Sequence, residues 1–321
     1  MGRKNYLILF LGHRLVNVAK AREMTKLVSA LFIFVLLLSC GGENLTKVAF
    51  VSGQYMNETE IYVTAADGTG ETQITFNDWE DTVPCWSHDD SQIAFRSQRD
   101  GNDELYIMAA DGTNPRRVTH FNRLAYVSPS FHSLFLGPNC WSSDGKSIVF
   151  SFENVIYKVD SNITNLMPYD LAGEAPGFSP DGRHISFTTR VDDSHFVYVM
   201  DEDGTNLIEI LSSLQQTSAS AHNVPNCSSW SPDSSSLVCT QGSELFVVEV
   251  SSGEITLLQP KPTSSDKVVF GADWSPDGNK ILYSVREKNQ AIQYVIDVES
   301  GISTMFTPKL YSGLGTWSNS N

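Results

Sequence analysis

The chain has 321 residues, and 22 Lys+Arg against 37 Asp+Glu give it a formal charge of −15, a deficit of cations that excludes duplex nucleic acid as its partner. A hydrophobic content of 41% with 17 Phe, 11 Tyr and 6 Trp is enough to bury a core and excludes general disorder. The length admits two ordinary domains or one large all-β unit, so the pattern along the chain has to decide.

The amino end differs from the rest. Up to Ser39 there are six bases (Arg3, Lys4, Arg14, Lys20, Arg22, Lys26) and one acid, Glu23, which leaves 16 bases and 36 acids beyond it. Leu27 to Leu38 is apolar except for Ser29 and is twelve residues long. A spanning helix needs about 20, so the run suits the apolar core of a signal peptide. It ends in Leu37-Leu38-Ser39-Cys40-Gly41, which resembles the bacterial lipoprotein box. That resemblance implies acylation of Cys40, which becomes the new amino terminus and the membrane anchor. Two or three acyl chains hold durably, since each buried methylene contributes about 0.8 kcal/mol. Met24-Thr25-Lys26 and the apolar run already form a complete signal, so Met24 is the expected true start. The expected organisation is a signal peptide over 1–39, a lipidated tether over 40–45 and a folded domain over 46–321. Gly41 after the cysteine, by resemblance to the enterobacterial sorting rule, implies the outer membrane.

Further on, an aromatic followed by Ser and a turn recurs at Trp86-Ser87-His88-Asp89-Asp90, Trp141-Ser142-Ser143-Asp144-Gly145, Phe178-Ser179-Pro180-Asp181-Gly182, Trp230-Ser231-Pro232-Asp233-Ser234 and Trp274-Ser275-Pro276-Asp277-Gly278, and Trp317-Ser318 is a sixth. Nine residues after each of the first five sits Phe95, Phe150, Phe187, Cys239 or Tyr283, and seven or eleven further on Tyr106, Tyr157, Tyr198, Phe246 or Tyr294. Asp111-Gly112 and Asp203-Gly204, with Ser252-Gly253 and Ser300-Gly301, then read as hairpin turns into a fourth strand. Each unit is four antiparallel strands in a repeat of blade size.

Trp-Ser-Pro-Asp-Gly, Ile-Ala-Phe-x-Ser, Arg-Asp-Gly-Asn, Tyr-x-Met and Asp-Gly-Thr-Asn together resemble the TolB-type, WD-like β-propeller repeat over Leu45 to Ser318. The resemblance implies an envelope protein that binds a protein or peptide, here without the α/β domain that precedes the propeller in TolB. Lys47–Ser52, Glu60–Ala65 and Glu71–Thr75 read as strands two, three and four of the first unit, and Gly313–Ser318 as its missing first strand. The fold class is therefore all-β, a six-bladed propeller closed by pairing of the C-terminal strand with the N-terminal blade, as one monomeric domain.

Alternation of strand direction gives two rims. One carries the uniform Ser-Pro-Asp-Gly and Asp-Gly turns; the other carries the variable connections, where a rigid scaffold usually places its binding surface. The candidate binding residues on that rim are Trp79, Asp81, His120, Arg123, Tyr126, His132, Asp170, Arg190, Asp193, His195, His222 and Arg286. Gly177-Phe178-Ser179-Pro180-Asp181 fails the nucleophile-elbow pattern, so no catalytic residue is named. The rim histidines share no close ligand spacing, so no metal or cofactor is expected. The expected function is a non-catalytic, lipid-anchored envelope scaffold, on the periplasmic side of the outer membrane or at the cell surface, that binds a protein or peptide. The alternative is a propeller enzyme or carbohydrate-binding protein, a lyase or hydrolase acting on a cell-surface polymer. Cys85, Cys140, Cys227 and Cys239 are expected as buried free thiols. Equivalent positions of neighbouring blades are taken to lie beyond disulfide reach, which leaves Cys227 with Cys239 as the pairing to check.

Overall fold

The computed structural model describes residues 46–53, 59–121, 134–192, 194–212, 225–258, 267–287, 290–306 and 312–319; Cys40 and the 1–45 segment lie outside them. Every regular element among these residues is a strand. The first blade takes β1 (Lys47–Ser52), β2 (Glu60–Ala65) and β3 (Thr72–Gln73). Blade 2 is β4 (Asp81–Trp86), β5 (Gln92–Ser97), β6 (Glu104–Ala109) and β7 (Arg116–Arg117). Blade 3 is β8 (Leu134–Phe135), β9 (Ser147–Phe152), β10 (Val155–Asp160) and β11 (Leu166–Ala172). Blade 4 is β12 (Glu174–Phe178), β13 (His184–Val191), β14 (Ser194–Asp201) and β15 (Ile208–Ser212). Blade 5 is β16 (Asn226–Trp230), β17 (Ser236–Gln241), β18 (Glu244–Glu249) and β19 (Ile255–Leu257). Blade 6 is β20 (Lys267–Trp274), β21 (Lys280–Glu287), β22 (Gln290–Asp297) and β23 (Ser303–Met305). The last strand, β24 (Ser312–Trp317), returns to blade 1, which reads β24-β1-β2-β3. The six four-stranded antiparallel sheets make a six-bladed β-propeller.

The recurring residues of the sequence turn out to be cross-strand partners. Phe50 faces Tyr62, Phe95 faces Tyr106, Phe150 faces Tyr157, Phe187 faces Tyr198, Cys239 faces Phe246 and Tyr283 faces Tyr294. The five ring pairs sit 5.6 to 5.9 Å apart between centroids, the distance at which aromatic pairs add to simple burial. The innermost-strand aromatic of each blade covers the neighbouring sheet. Trp86 packs with Ala49 and Ile61 of blade 1 as well as with Phe95 and Tyr106 of its own.

The first turn of each blade explains the Ser-x-Asp spelling. Ser87 Oγ donates to Asp89 Oδ1 at 2.7 Å and accepts from the Gln92 amide at 2.9 Å. The same bonds recur from Ser142 to Asp144, Ser179 to Asp181, Ser231 to Asp233 and Ser275 to Asp277. A short hydroxyl and a carboxylate here replace the ladder bonds that the turn cannot make.

Closure uses the same chemistry across the chain ends. Val48 faces Trp317, Ala49 faces Thr316 and Phe50 faces Gly315. Ser318 stands where other blades begin their turn: its Oγ accepts from the Lys47 amide at 2.9 Å and its amide donates to the Lys47 carbonyl at 2.8 Å. Trp317 is buried with Val48 and Phe50 of blade 1 and Leu282 of blade 6. Asn319 then hooks blade 2, donating from its amide to Asp90 Oδ1 and from Nδ2 to the Ser87 carbonyl.

The cysteines correct the expectation of free thiols. Cys85 is bonded to Cys140 and Cys227 to Cys239. Cys227 and Cys239 lie on adjacent strands of one sheet, 4.2 Å apart at Cα. Cys85 and Cys140 occupy equivalent places just before Trp86 and Trp141, and their Cα atoms are only 6.2 Å apart. Innermost strands converge on the propeller axis, so neighbouring blades come within disulfide reach there although they diverge outward.

Two stability outcomes follow. Trp317→Ala should cost about 3 to 5 kcal/mol, the usual range for a buried tryptophan, and deleting residues 312–321 should lower the melting temperature further and promote association through the exposed β1 edge; calorimetry and sedimentation of both variants measure this. The Cys85–Cys140 bond closes a 55-residue separation, so Cys85→Ser with Cys140→Ser should lower unfolding stability by about 4 kcal/mol on the chain-entropy account, read from denaturant midpoints.

Candidate functional site

Connections between second and third strands, and from each fourth strand to the next blade, form the loop rim; the Ser-x-Asp and Asp-Gly turns form the opposite one. The loop rim is braced at its base by a repeated device. In blade 1, Glu60 at the start of β2 accepts from the Thr75 hydroxyl and from the Asn77 amide, while Thr75 Oγ1 accepts from the Ile61 amide. Blade 2 repeats it with Glu104, Thr119, the Phe121 amide and the Leu105 amide. The Glu-to-Thr spacing is 15 residues in both, a signal present in the sequence that its reading for aromatics passed over.

Asp81, a candidate rim residue, is fully buried and not open to a ligand. Asn77 Nδ2 and Arg99 Nη2 each donate to its Oδ2 at 2.8 Å. The Arg99 guanidinium lies 4.8 Å from the Tyr106 ring centroid, flat charge over an aromatic face. Burial raises the Glu60 carboxyl above its ordinary pKa, against the Thr75 and Asn77 hydrogen bonds that lower it, and nearby Asp81 adds to the rise. Alongside, Arg96 and Glu80 make a mostly buried ion pair of 2.6 Å. These contacts fix the loop over 74–80 from beneath. On it, Phe76 is 76% exposed and Trp79 is 49% exposed, the Trp79 amide being held by Asn77 Oδ1 at 2.9 Å.

The other candidates divide as follows. Arg190 and His195 face each other across β13 and β14. Arg190 Nε donates to the Asp192 carbonyl at 2.8 Å. Desolvation, and then the Arg190 charge, push the His195 imidazole below its ordinary pKa, which favours the neutral ring at neutral pH. The Arg286 guanidinium lies 4.8 Å from the Phe270 ring centroid. His120 and Asp170 are exposed, and Asp170 sits on outer strand β11 with φ 55°. Arg123, Tyr126, His132, Asp193 and His222 lie outside the described residues. The structure thus links Trp79 to Asp81 through Asn77, and Arg190 to His195. Among the described residues no group of three His, Cys, Asp or Glu side chains is arranged to hold a metal ion.

Concavities occur on the opposite rim, where the sequence reading saw only turns. An axial depression of about 190 Å³ is bordered by Pro138, Asn139, Pro180, Pro232, Pro276 and Asn319, with Asp273 at its floor. A cleft of about 250 Å³ between blades 2 and 3 is lined by His88, Asp89, Arg116, Asp144 and Ser161 among others. Residues just before the blade aromatics join neighbouring blades along the innermost strands. Asp273 is buried and accepts from Ser229 Oγ at 2.7 Å, Thr316 Oγ1 at 3.0 Å and the Trp317 amide at 2.8 Å, joining blades 5, 6 and 1. Asn139 ties blades 3, 4 and 5, its carbonyl accepting from the Phe178 amide and its Oδ1 from the Trp230 amide.

Residues 39–222 match the TolB beta propeller domain. A protein of Agrobacterium fabrum known as uncharacterized protein Atu1656 is 26% identical over 212 residues, 61% of this chain and 64% of that one; the match thus spans just under two thirds of its relative's length. The fold is also similar to that of TolB from Acinetobacter baumannii, with TM-score 0.65 and 18% identity over 89% of this chain and 70% of that one. A chain of the nidogen/laminin complex gives TM-score 0.64 and 13% identity over 85% and 98%.

Burial pushes the Asp273 carboxyl up to about 6 from 3.8, outweighing the Ser229, Trp317, Thr316 and Trp274 hydrogen bonds that lower it. Between those pH values the folded protein holds a proton that the unfolded chain has lost. Unfolding stability from this group is therefore greatest below about pH 4 and falls by up to about 3 kcal/mol as pH rises through 6. Denaturant titrations from pH 4 to 7 should show this decline in the parent and not in Asp273→Asn, whose overall stability should also drop by about 1 to 3 kcal/mol because its amide faces hydrogen-bond donors.

Proposed function

The chain belongs to the family of TolB beta propeller domains, and from that premise we propose that it is a non-catalytic scaffold of the bacterial envelope, anchored through lipid on Cys40, whose loop rim binds a protein or peptide. The observation that carries this reading is the 74–80 loop. Exposed Phe76 and Trp79 stand on a segment pinned by Glu60, Asn77 and Asp81. Large aromatics on a pre-ordered loop are the residue type that dominates protein interfaces, because they bury much area with little ordering cost. Arg190, neutral His195, His120 and Arg286 supply polar contacts on the same rim, and Arg123, Tyr126, His132, Asp193 and His222 extend it in the sequence.

Anchoring and binding are tested together in cells. Cys40→Ser should move the protein from the membrane fraction to soluble or unprocessed forms, leaving its melting temperature unchanged. A photo-crosslinker placed at Trp79 should capture a discrete envelope protein, and Phe76→Ala or Trp79→Ala should weaken its affinity by about 30-fold, the equivalent of a 2 kcal/mol anchor. Polymer retention or depolymerisation that survives both substitutions would replace this reading with the carbohydrate-directed one.

A further inference from the structure

The end at which the chain enters the propeller constrains how it can face a membrane. Lys47 begins β1 at the Ser-x-Asp rim: its amide and carbonyl pair with Ser318, where other blades carry their first turn. The Thr46 carbonyl beside it accepts from the Ala66 amide, at the hairpin turn on that same rim. Six residues separate Cys40 from Lys47 in the sequence. However that stretch is arranged, its reach is at most about 25 Å.

The loop rim lies beyond that reach. β1 is six residues long, so the two rims are about 20 Å apart. To bring the loop rim onto a bilayer that holds Cys40, the tether would first have to pass outward over β2 and β3, about 10 Å at ordinary strand spacing. It would then descend the height of the blade, a path of about 30 Å even before side chains are cleared, which is longer than the tether. Resting the Ser-x-Asp rim on the bilayer requires no detour.

We propose that the Ser-x-Asp rim is the face apposed to the lipid surface and that the loop rim, with Phe76 and Trp79, is held facing away from it; this rests on the lipid anchor at Cys40 proposed above. On the apposed rim the exposed cations Lys146 and Arg183 are each matched by a turn carboxylate, Asp144 and Asp181. Hydroxyl hydrogen bonds hold the carboxyls of Asp89, Asp144 and Asp233 below the ordinary range, from Ser87, Ser142 and Ser231 in turn. Carboxylates kept ionised in this way repel anionic headgroups, so the tether and not surface charge maintains the contact. The partner of the loop rim is then met in the aqueous space beyond the propeller, one blade height further from the bilayer.

The test uses full-length, acylated protein in vesicles of phosphatidylcholine and phosphatidylglycerol carrying a headgroup energy acceptor. A donor dye is placed on Asn162→Cys, exposed at the Ser-x-Asp rim, or on Val191→Cys, exposed at the loop rim. Transfer should be severalfold greater from position 162, and Cys40→Ser should abolish flotation at low salt with either label. Flotation with equal or greater transfer from position 191 overturns the orientation while leaving the anchor intact. Flotation that is absent in the parent, or unchanged in Cys40→Ser, overturns the anchor and the orientation with it.

Discussion

Everything in this propeller depends on one joint. Each sheet is held mainly by the sheets on either side, so a ring with an open seam would leave two blades half-supported and a strand edge bare. The seam is closed by β24 against β1, by the Lys47 and Ser318 pair across a separation of 271 residues, and by Asp273, which reaches from blade 6 to grip Thr316 and the Trp317 amide. Local hairpins can form blade by blade, whereas this contact must wait until both ends of the domain are in place. Trp317 makes the joint cooperative with its surroundings, because it is buried against both of the blades that it unites.

The six residues before the blade aromatics show how near-identical repeats are joined by unlike chemistry. They are Cys85, Cys140, Gly177, Ser229, Asp273 and Thr316. Cys85 and Cys140 form a covalent staple, while Ser229, Asp273 and Thr316 form a hydrogen-bonded one. Gly177 has no side chain to offer, and there the neighbouring Asn139 spans the gap to Trp230, whose indole donates to the Gly177 carbonyl. A buried carboxylate is costly unless its acceptors are occupied, and the arrangement around Asp273 gives it donors from both neighbouring blades, Ser229 on one side and Thr316 with Trp317 on the other.

Much of this was legible in the sequence, and the failures have a common cause. Blade number, the Trp317-Ser318 signature of the closing strand and the placing of Phe95 and Tyr106, or Tyr283 and Tyr294, on successive strands are read from local patterns of alternation and turn spacing. Distances across the ring are not local. The Cys85–Cys140 bond is invisible in the sequence because nothing in the two Cys-Trp dipeptides shows that innermost strands converge at the axis. Asp81 was read as a rim residue because it ends a loop, whereas it opens β4 and is claimed by Arg99 and Asn77. The axial depression was missed for the same reason: Pro180, Pro232 and Pro276 each look like an ordinary turn residue, and the hollow exists only where they face one another.

The charge of the chain acquires a different meaning once the turns are understood. A net −15 invites a search for a cationic partner, yet many of the carboxylates have structural posts. Asp89, Asp144, Asp181, Asp233 and Asp277 each accept from a turn serine, and Asp67, Asp111 and Asp203 each accept from a threonine two residues on. On the loop rim, Glu80, Asp81 and Glu104 are paired with Arg96, Arg99 and Arg117. Acidity at the Ser-x-Asp rim is thus a consequence of using hydroxyl-to-carboxylate turns in blade after blade, and at the loop rim these three carboxylates are matched by arginines in place. The turn carboxylates recur from blade to blade, so what distinguishes one part of the molecule's surface from another is the shape and aromatic content of its unequal loops.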